Sequence, residues 1–200
     1  MSSYLMMFME VRLEQILTRF NIQFSTIDTT HLNEIEEAIQ DNTKLIYIET
    51  PSNPLFKITD IRGAADIAKK HHLKLAVDNT FMTPLGQSPL ALGADIVVHS
   101  ATKFLSGHTD IIAGVAITND QTIADALYLL QNATGTALSA QDSWTLAKHL
   151  KTLPVRFNQS VENTKKLYEY LAQRDEIAEV YYPGNSDLHL SQASHGGAVL

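Results

Sequence analysis

The chain has 200 residues, a formal net charge of −7 and no cysteine. An acidic balance argues against a nucleic-acid-binding face, and without cysteine there is no disulfide, thiolate metal site or thiol nucleophile. Hydrophobic residues make up 44%, enough for a sizeable core, and no apolar run approaches the length that spans a membrane, so neither nucleic acid nor a membrane is expected as a partner.

In chain order, the apolar patch from Tyr4 to Met9 lacks a basic leader and is cut off by Glu10. It is a poor signal peptide, and with the missing cysteines this fits a reducing, cytoplasmic location. Val11 to Phe20 reads as a helix through Leu13, Ile16 and Leu17, and Ile22 to Ile27 alternates like a strand. Leu32, Ile35, Ala38 and Ile39 recur at helical spacing. Leu45 to Ile48 is a short apolar strand, followed by the turn-rich run Glu49-Thr50-Pro51-Ser52-Asn53-Pro54. Asp60 is a candidate N-cap for a helix with Ile61, Ala64, Ala65 and Ala68 on one face. Lys69 and Lys70 fall in its last turn, where cations suit the dipole. Leu73 to Val77 is the next strand and ends at Asp78. Ser88, Pro89 and Gly93 bracket a short helix. Ile96 to Val98 has the β-branched content of a buried strand, and Ile111 to Ile117 is a further apolar run. Ile123, Ala126, Leu127 and Leu130 mark another helix, and Trp144 to Leu150 one more. Phe157, Val161, Thr164, Tyr168 and Leu171 form a long amphipathic stripe. Val180 to Tyr182 reads as a late strand, closed by Pro183-Gly184.

Short, continuously apolar strands alternating with helices predict an α/β fold with a mostly parallel sheet. Three strands end alike. The first is followed by Glu49, Thr50 and Asn53, the second by Asp78, Asn79 and Thr80, the third by His99, Ser100, Thr102 and Lys103. In an open parallel sheet the ligand crevice lies at the carboxyl ends of the strands, so these clusters should meet. Lys103 stands just past a buried strand with hydroxyls on its N-terminal side, a position where partial burial makes a lysine an amine nucleophile toward carbonyls. Glycine-rich loops of the dinucleotide or nucleoside-triphosphate type are absent. A lysine, a carboxylate and two hydroxyls together suit pyridoxal phosphate, whose aldehyde takes a lysine, whose ring nitrogen needs a buried carboxylate and whose phosphate needs donors. Two other readings use the same residues: a metal site on His99 and His108, and a cofactor-free Schiff-base lyase on Lys103 alone.

The blocks Ile46-Tyr-Ile-Glu-Thr-Pro-Ser-Asn-Pro54, Ala76-Val-Asp-Asn-Thr-Phe81 and His99-Ser-Ala-Thr-Lys-Phe104 with Gly107-His108 resemble the signature segments of the Cys/Met-metabolism pyridoxal-phosphate enzymes, the trans-sulfuration family. The resemblance begins near Arg12 and runs to the end of the chain. It implies an aspartate-aminotransferase-like (fold type I) large domain over residues 1–154, and the start of a smaller C-terminal α/β domain over residues 155–200. It implies pyridoxal 5′-phosphate as cofactor, with Lys103 forming the Schiff base and carrying protons. Asp78 would pair with the ring nitrogen, Ser100 and Thr102 would bind the phosphate, and Asn53 would meet the phenolic oxygen, with Thr80 near the ring. The activity implied is making or breaking a C–S bond on cystathionine, or on an acyl-homoserine with cysteine, as in the cystathionine β-lyase and γ-synthase members. A homo-oligomer, a homotetramer in the family, is implied as well. The family is longer at both ends: its phosphate-gripping glycine loop, ring-stacking tyrosine and carboxylate-binding arginine have no match here. Arg156 and Arg174 read as surface residues. The alternative expectation is therefore a truncated remnant without catalysis.

Overall fold

The structure is a computed structural model that describes residues 17–200. The patch at Tyr4–Met9 and most of the first expected helix lie outside the described residues. The remainder of that helix, Leu17–Phe20, is one turn of 3-10 helix.

Four strands form one sheet: β1 (Leu45–Glu49), β2 (Lys74–Asp78), β3 (Ile96–Ser100) and β4 (Gly114–Ile117). They lie in the order β1-β2-β3-β4, with the first three parallel and β4 antiparallel at the edge. β2 is central, which explains its run of three consecutive buried residues, Leu75, Ala76 and Val77. On β1, by contrast, burial alternates, with Ile46 and Ile48 turned to the core.

The crossovers are helical. Helix α1 (Leu32–Glu37) precedes β1, and α2 (Ile61–Lys70) links β1 to β2. The short α3 (Thr83–Gly86) and a 3-10 turn at Pro89–Leu92 link β2 to β3. After β4 come α4 (Gln121–Thr134), α5 (Ala140–Leu150), α6 (Leu153–Leu171) and α7 (Asp187–Gln192). The expected domain junction at residue 155 falls in the first turn of α6. Helix α2 lays Ile61, Ala64 and Ala68 against Ile46, Ile48, Leu75 and Val77, and this is the main core. A second cluster, Ala101, Leu105, Ile111 and Leu146, lies under the turn that follows β3.

Asp60 caps α2, its carboxylate accepting from the Gly63 N–H at 3.0 Å. Asp60→Ala should destabilise the chain by about 1 kcal/mol, read from the denaturant midpoint. Gly93 stops the Pro89 turn at φ 105°, as expected, although the Ser88 side chain makes no cap bond.

Two expected strands are not formed. Ile22–Ile27 has no regular secondary structure and no strand partner among the described residues, and Ile27 packs against the main core. Val180–Tyr182 likewise joins no sheet, and Tyr182 stacks on Tyr168 at 4.9 Å. Alternation tells which way side chains point; it does not supply a partner strand. Helix α4 forms where expected, yet none of its residues is buried, and Tyr128, Leu129 and Leu130 are all more than half exposed. Among the described residues no helix is long and apolar enough to cross a membrane.

Candidate functional site

Because β1, β2 and β3 run parallel, their last residues, Glu49, Asp78 and Ser100, lie along one edge of the sheet. The register sets Glu49 directly beside Asp78, so two carboxyl groups are neighbours. Both oxygens of Asp78 are held. The Tyr47 hydroxyl donates to Oδ2 at 3.2 Å, and the Thr80 N–H donates to Oδ1 at 2.9 Å. The Thr80 hydroxyl in turn accepts from the Ser100 N–H at 2.8 Å, which ties the end of β2 to the end of β3.

After Ser100 the chain makes a tight turn through residues 101–106. The Lys103 N–H bonds the Ser100 carbonyl at 3.1 Å, and the Gly107 N–H bonds the Lys103 carbonyl at 2.7 Å. The turn leaves Lys103 exposed rather than partly buried. Its side chain has no hydrogen-bond or ion-pair partner among the described residues. Thr102 is different. Its hydroxyl accepts from the Ala113 N–H at 2.9 Å and donates to the Ala113 carbonyl at 3.3 Å, pinning the turn to the approach of β4. Asn53, in the loop after β1, gives its backbone N–H to the Glu49 carboxyl.

The electrostatics follow from this placement. Burial, and then the charge of Asp78, push the Glu49 carboxyl up from 4.5 to about 7, against the pull of the Asn53 N–H. Burial and Asp78 likewise push the Tyr47 phenol well above its ordinary range, so it stays a donor. His99 is 1% exposed and held below the ordinary imidazole range by burial, although Asp78 opposes this.

A carboxyl whose pKa is raised on folding costs stability as pH rises through the window between its unfolded and folded values. The folded state binds the extra proton there, and the native form is penalised once that proton leaves. Glu49 should therefore weaken the fold between about pH 4.5 and pH 7. Three imidazoles lowered by burial, His99, His189 and His195, tilt stability the other way below their unfolded pKa. The informative quantity is thus the difference between Glu49→Gln and the parent. Urea midpoints should show the variant gaining on the parent by on the order of 3 kcal/mol from about pH 4 to about pH 8. A constant difference would show that Glu49 ionises normally.

The two histidines of the metal reading are separated in role. His99 is buried at the end of β3, while His108 is exposed and stacks on His149 at 4.0 Å. Among the described residues no group of three or more His, Cys, Asp or Glu could hold a metal ion.

Sequence reading passed over Tyr47 and misplaced Arg156. Tyr47 shares a strand face with Glu49 two residues on, but its bond to Asp78 depends on the pairing of β1 with β2. Arg156 is half-buried, with its guanidinium on the carbonyls of Phe104, Leu105 and His149. Arg174 is exposed, as expected, and stacks over Tyr170.

The donor set matches pyridoxal phosphate. A carboxylate fixed through both oxygens suits a protonated ring nitrogen, an unpaired amine on the adjoining turn suits an aldehyde, and the Ser100 hydroxyl stands between them in sequence for the phosphate. Comparison with known proteins points the same way. The profile of the family described as Cys/Met metabolism PLP-dependent enzyme matches residues 3–200, extending through the N-terminal stretch that the signature blocks do not reach. Cystathionine beta-lyase MetC of Staphylococcus haemolyticus (strain JCSC1435) is 78% identical over 187 residues, covering 94% of this chain and 48% of that protein. Cystathionine gamma-lyase of Bacillus subtilis (strain 168) is 47% identical over 173 residues, covering 86% and 46%. The crystal structure of cystathionine gamma-lyase from Lactobacillus plantarum complexed with L-serine superposes with a TM-score of 0.92 at 38% identity, covering 95% of this chain and 51% of that one. The chain thus spans about half the length of the relatives it matches.

Proposed function

The chain belongs to the Cys/Met metabolism PLP-dependent enzymes, and on that premise we propose that the carboxyl ends of β1, β2 and β3 hold pyridoxal phosphate for C–S bond chemistry on a sulfur amino acid. The observation that carries this reading is the Asp78 carboxylate, fixed by Tyr47 and Thr80, with the free Lys103 amine on the turn after the next strand. When bound, the cofactor supplies an electron sink for negative charge developing on the substrate.

The chain's own residues then have distinct tasks. Asp78 holds the proton on the ring nitrogen. Lys103 would hold the group through its amine and would move a proton at the substrate. The Ser100 and Thr102 hydroxyls donate to the phosphate, for which Thr102 must turn its proton away from the Ala113 carbonyl. Asn53 meets the phenolic oxygen, and Thr80 orders the ring edge through Asp78.

Cystathionine is the proposed substrate, cleaved on the β side. The 78% identity to a cystathionine beta-lyase supports that choice over joining an acyl-homoserine to cysteine. The setting is cytoplasmic sulfur amino-acid metabolism leading to methionine. Residues 1–154 are assigned to the cofactor-binding domain and 155–200 to the start of a smaller one. The uncovered apolar face of α4 supports assembly as a homo-oligomer, a homotetramer in this reading.

The test is to saturate the chain with pyridoxal phosphate, remove the excess and read the visible absorption. Retention is expected. Asp78→Asn should weaken it roughly 10- to 100-fold, the worth of one charge-assisted hydrogen bond. Loss of all absorption from the parent would overturn the reading in favour of a chain with the fold but no catalysis.

A further inference from the structure

We propose that Arg156 is the positioning residue of the Lys103 turn: its guanidinium clamps the carbonyls on which that turn ends and so fixes where the lysine stands. The proposal rests on Lys103 being the cofactor's lysine.

The turn through residues 101–106 ends with carbonyls pointing out of it, as any helical turn does. Helix α5 ends close by, at Leu150. The Arg156 guanidinium enters between these two carbonyl ends. Nη1 donates to the Phe104 carbonyl at 3.1 Å, and Nη2 donates to the carbonyls of Leu105 at 3.3 Å and His149 at 3.1 Å. Nε donates to the Thr152 hydroxyl at 3.1 Å. Among the described residues the guanidinium forms no ion pair with a carboxylate, so its charge is offset by backbone dipoles instead.

The fit leaves no slack. Gly107 has φ 75°, and a Cβ built there would overlap the guanidinium. The same turn is braced beside the clamp. Ser106, fully buried, donates its hydroxyl to Asp110 at 3.1 Å and lies 3.3 Å from His149 Nδ1. Phe104 packs edge-on against Phe157 at 5.2 Å, one residue along from Arg156. Every part of the turn is therefore held except the Lys103 side chain. A lysine at 156 could not replace this, since one ammonium cannot bridge two elements with a planar fork.

The test uses Arg156→Lys in the full chain, with two measurements. The first is amide hydrogen exchange without cofactor. The Ser106 and Gly107 amides should exchange at least about tenfold faster, while the β2 amides of Leu75 and Val77 keep their protection. The second is brief exposure to pyridoxal phosphate, borohydride reduction and peptide mapping. The share of label at Lys103, relative to Lys69 and Lys70 in the same chain, should fall at least about fivefold, a ratio that general loosening of the fold would not lower at one lysine alone. If β2 protection is lost in this variant, Thr152→Val, which removes the Nε contact and the bond from the Thr152 hydroxyl to the His149 carbonyl but leaves the Phe104 and Leu105 carbonyls clamped, carries the same test with a smaller rise expected. Unchanged exchange at Ser106 and Gly107, or an unchanged Lys103 share in a chain that prefers Lys103, overturns the proposal. A parent chain that labels Lys103 no more than Lys69 overturns the cofactor reading instead, and faster exchange alone would then reduce Arg156 to a structural clamp.

Discussion

Lys103→Ala should abolish the visible absorption that the parent keeps after excess pyridoxal phosphate is removed. Three of the other lysines are tied to carboxylates. Lys57 is paired with Asp28, Lys70 with Glu36 at 2.5 Å, and Lys74 with Asp95 at 2.9 Å. The Lys57 pairing holds the Asp28 carboxyl down at about 2. An ammonium tied to a carboxylate is a poor nucleophile toward an aldehyde, because the ion pair must be broken before the amine can attack. Lys103 has no such partner, and it stands on the turn that leaves the sheet edge holding Asp78. Removing it leaves only non-covalent contacts from Asp78 and the hydroxyls, so retention should fall by at least about 100-fold, a loss of roughly 3 kcal/mol. Retention equal to the parent's in Lys103→Ala would place the covalent link elsewhere.

Phe157→Ala should be the most damaging core substitution, costing about 3–5 kcal/mol in urea or guanidinium unfolding. Phe157 is 1% exposed. It joins three parts of the chain: its own helix α6, the Lys103 turn through Phe104 at 5.2 Å, and the C-terminal segment through His195 at 5.5 Å. Truncation leaves a cavity that none of the three can close alone, because each is tethered by its own hydrogen bonds. The guanidinium on the preceding residue holds the turn, and the Gly86 carbonyl holds Ser194. A loss below about 1 kcal/mol would mean that the site collapses freely and that these parts are not rigidly joined.

The parts of the fold legible in the sequence are those fixed by local chemistry. Asp60 announces its helix because a capping carboxylate acts three residues away. The three parallel strands announce themselves as short apolar runs, although only β2 is buried without a break and β1 and β3 alternate, and their polar ends gather because parallel strands finish on one edge. What escaped depends on pairing across the sequence. Ile22–Ile27 has the right alternation but no neighbour. Tyr47 reaches Asp78 only through the β1–β2 register. Arg156 looks like a solvent residue on its helix until the Lys103 turn is packed beside it, with 51 residues separating it from Leu105. The raised carboxyl of Glu49 escaped for the same reason, since it arises from burial and from Asp78 on the neighbouring strand.

The most direct test of the central claim is to reduce the cofactor-treated chain with borohydride and map the modified peptide by mass. A single phosphopyridoxyl group on Lys103 is the predicted result. Label spread over Lys57, Lys69 and Lys70, or no label at all, would contradict the assignment of the strand ends as a cofactor site.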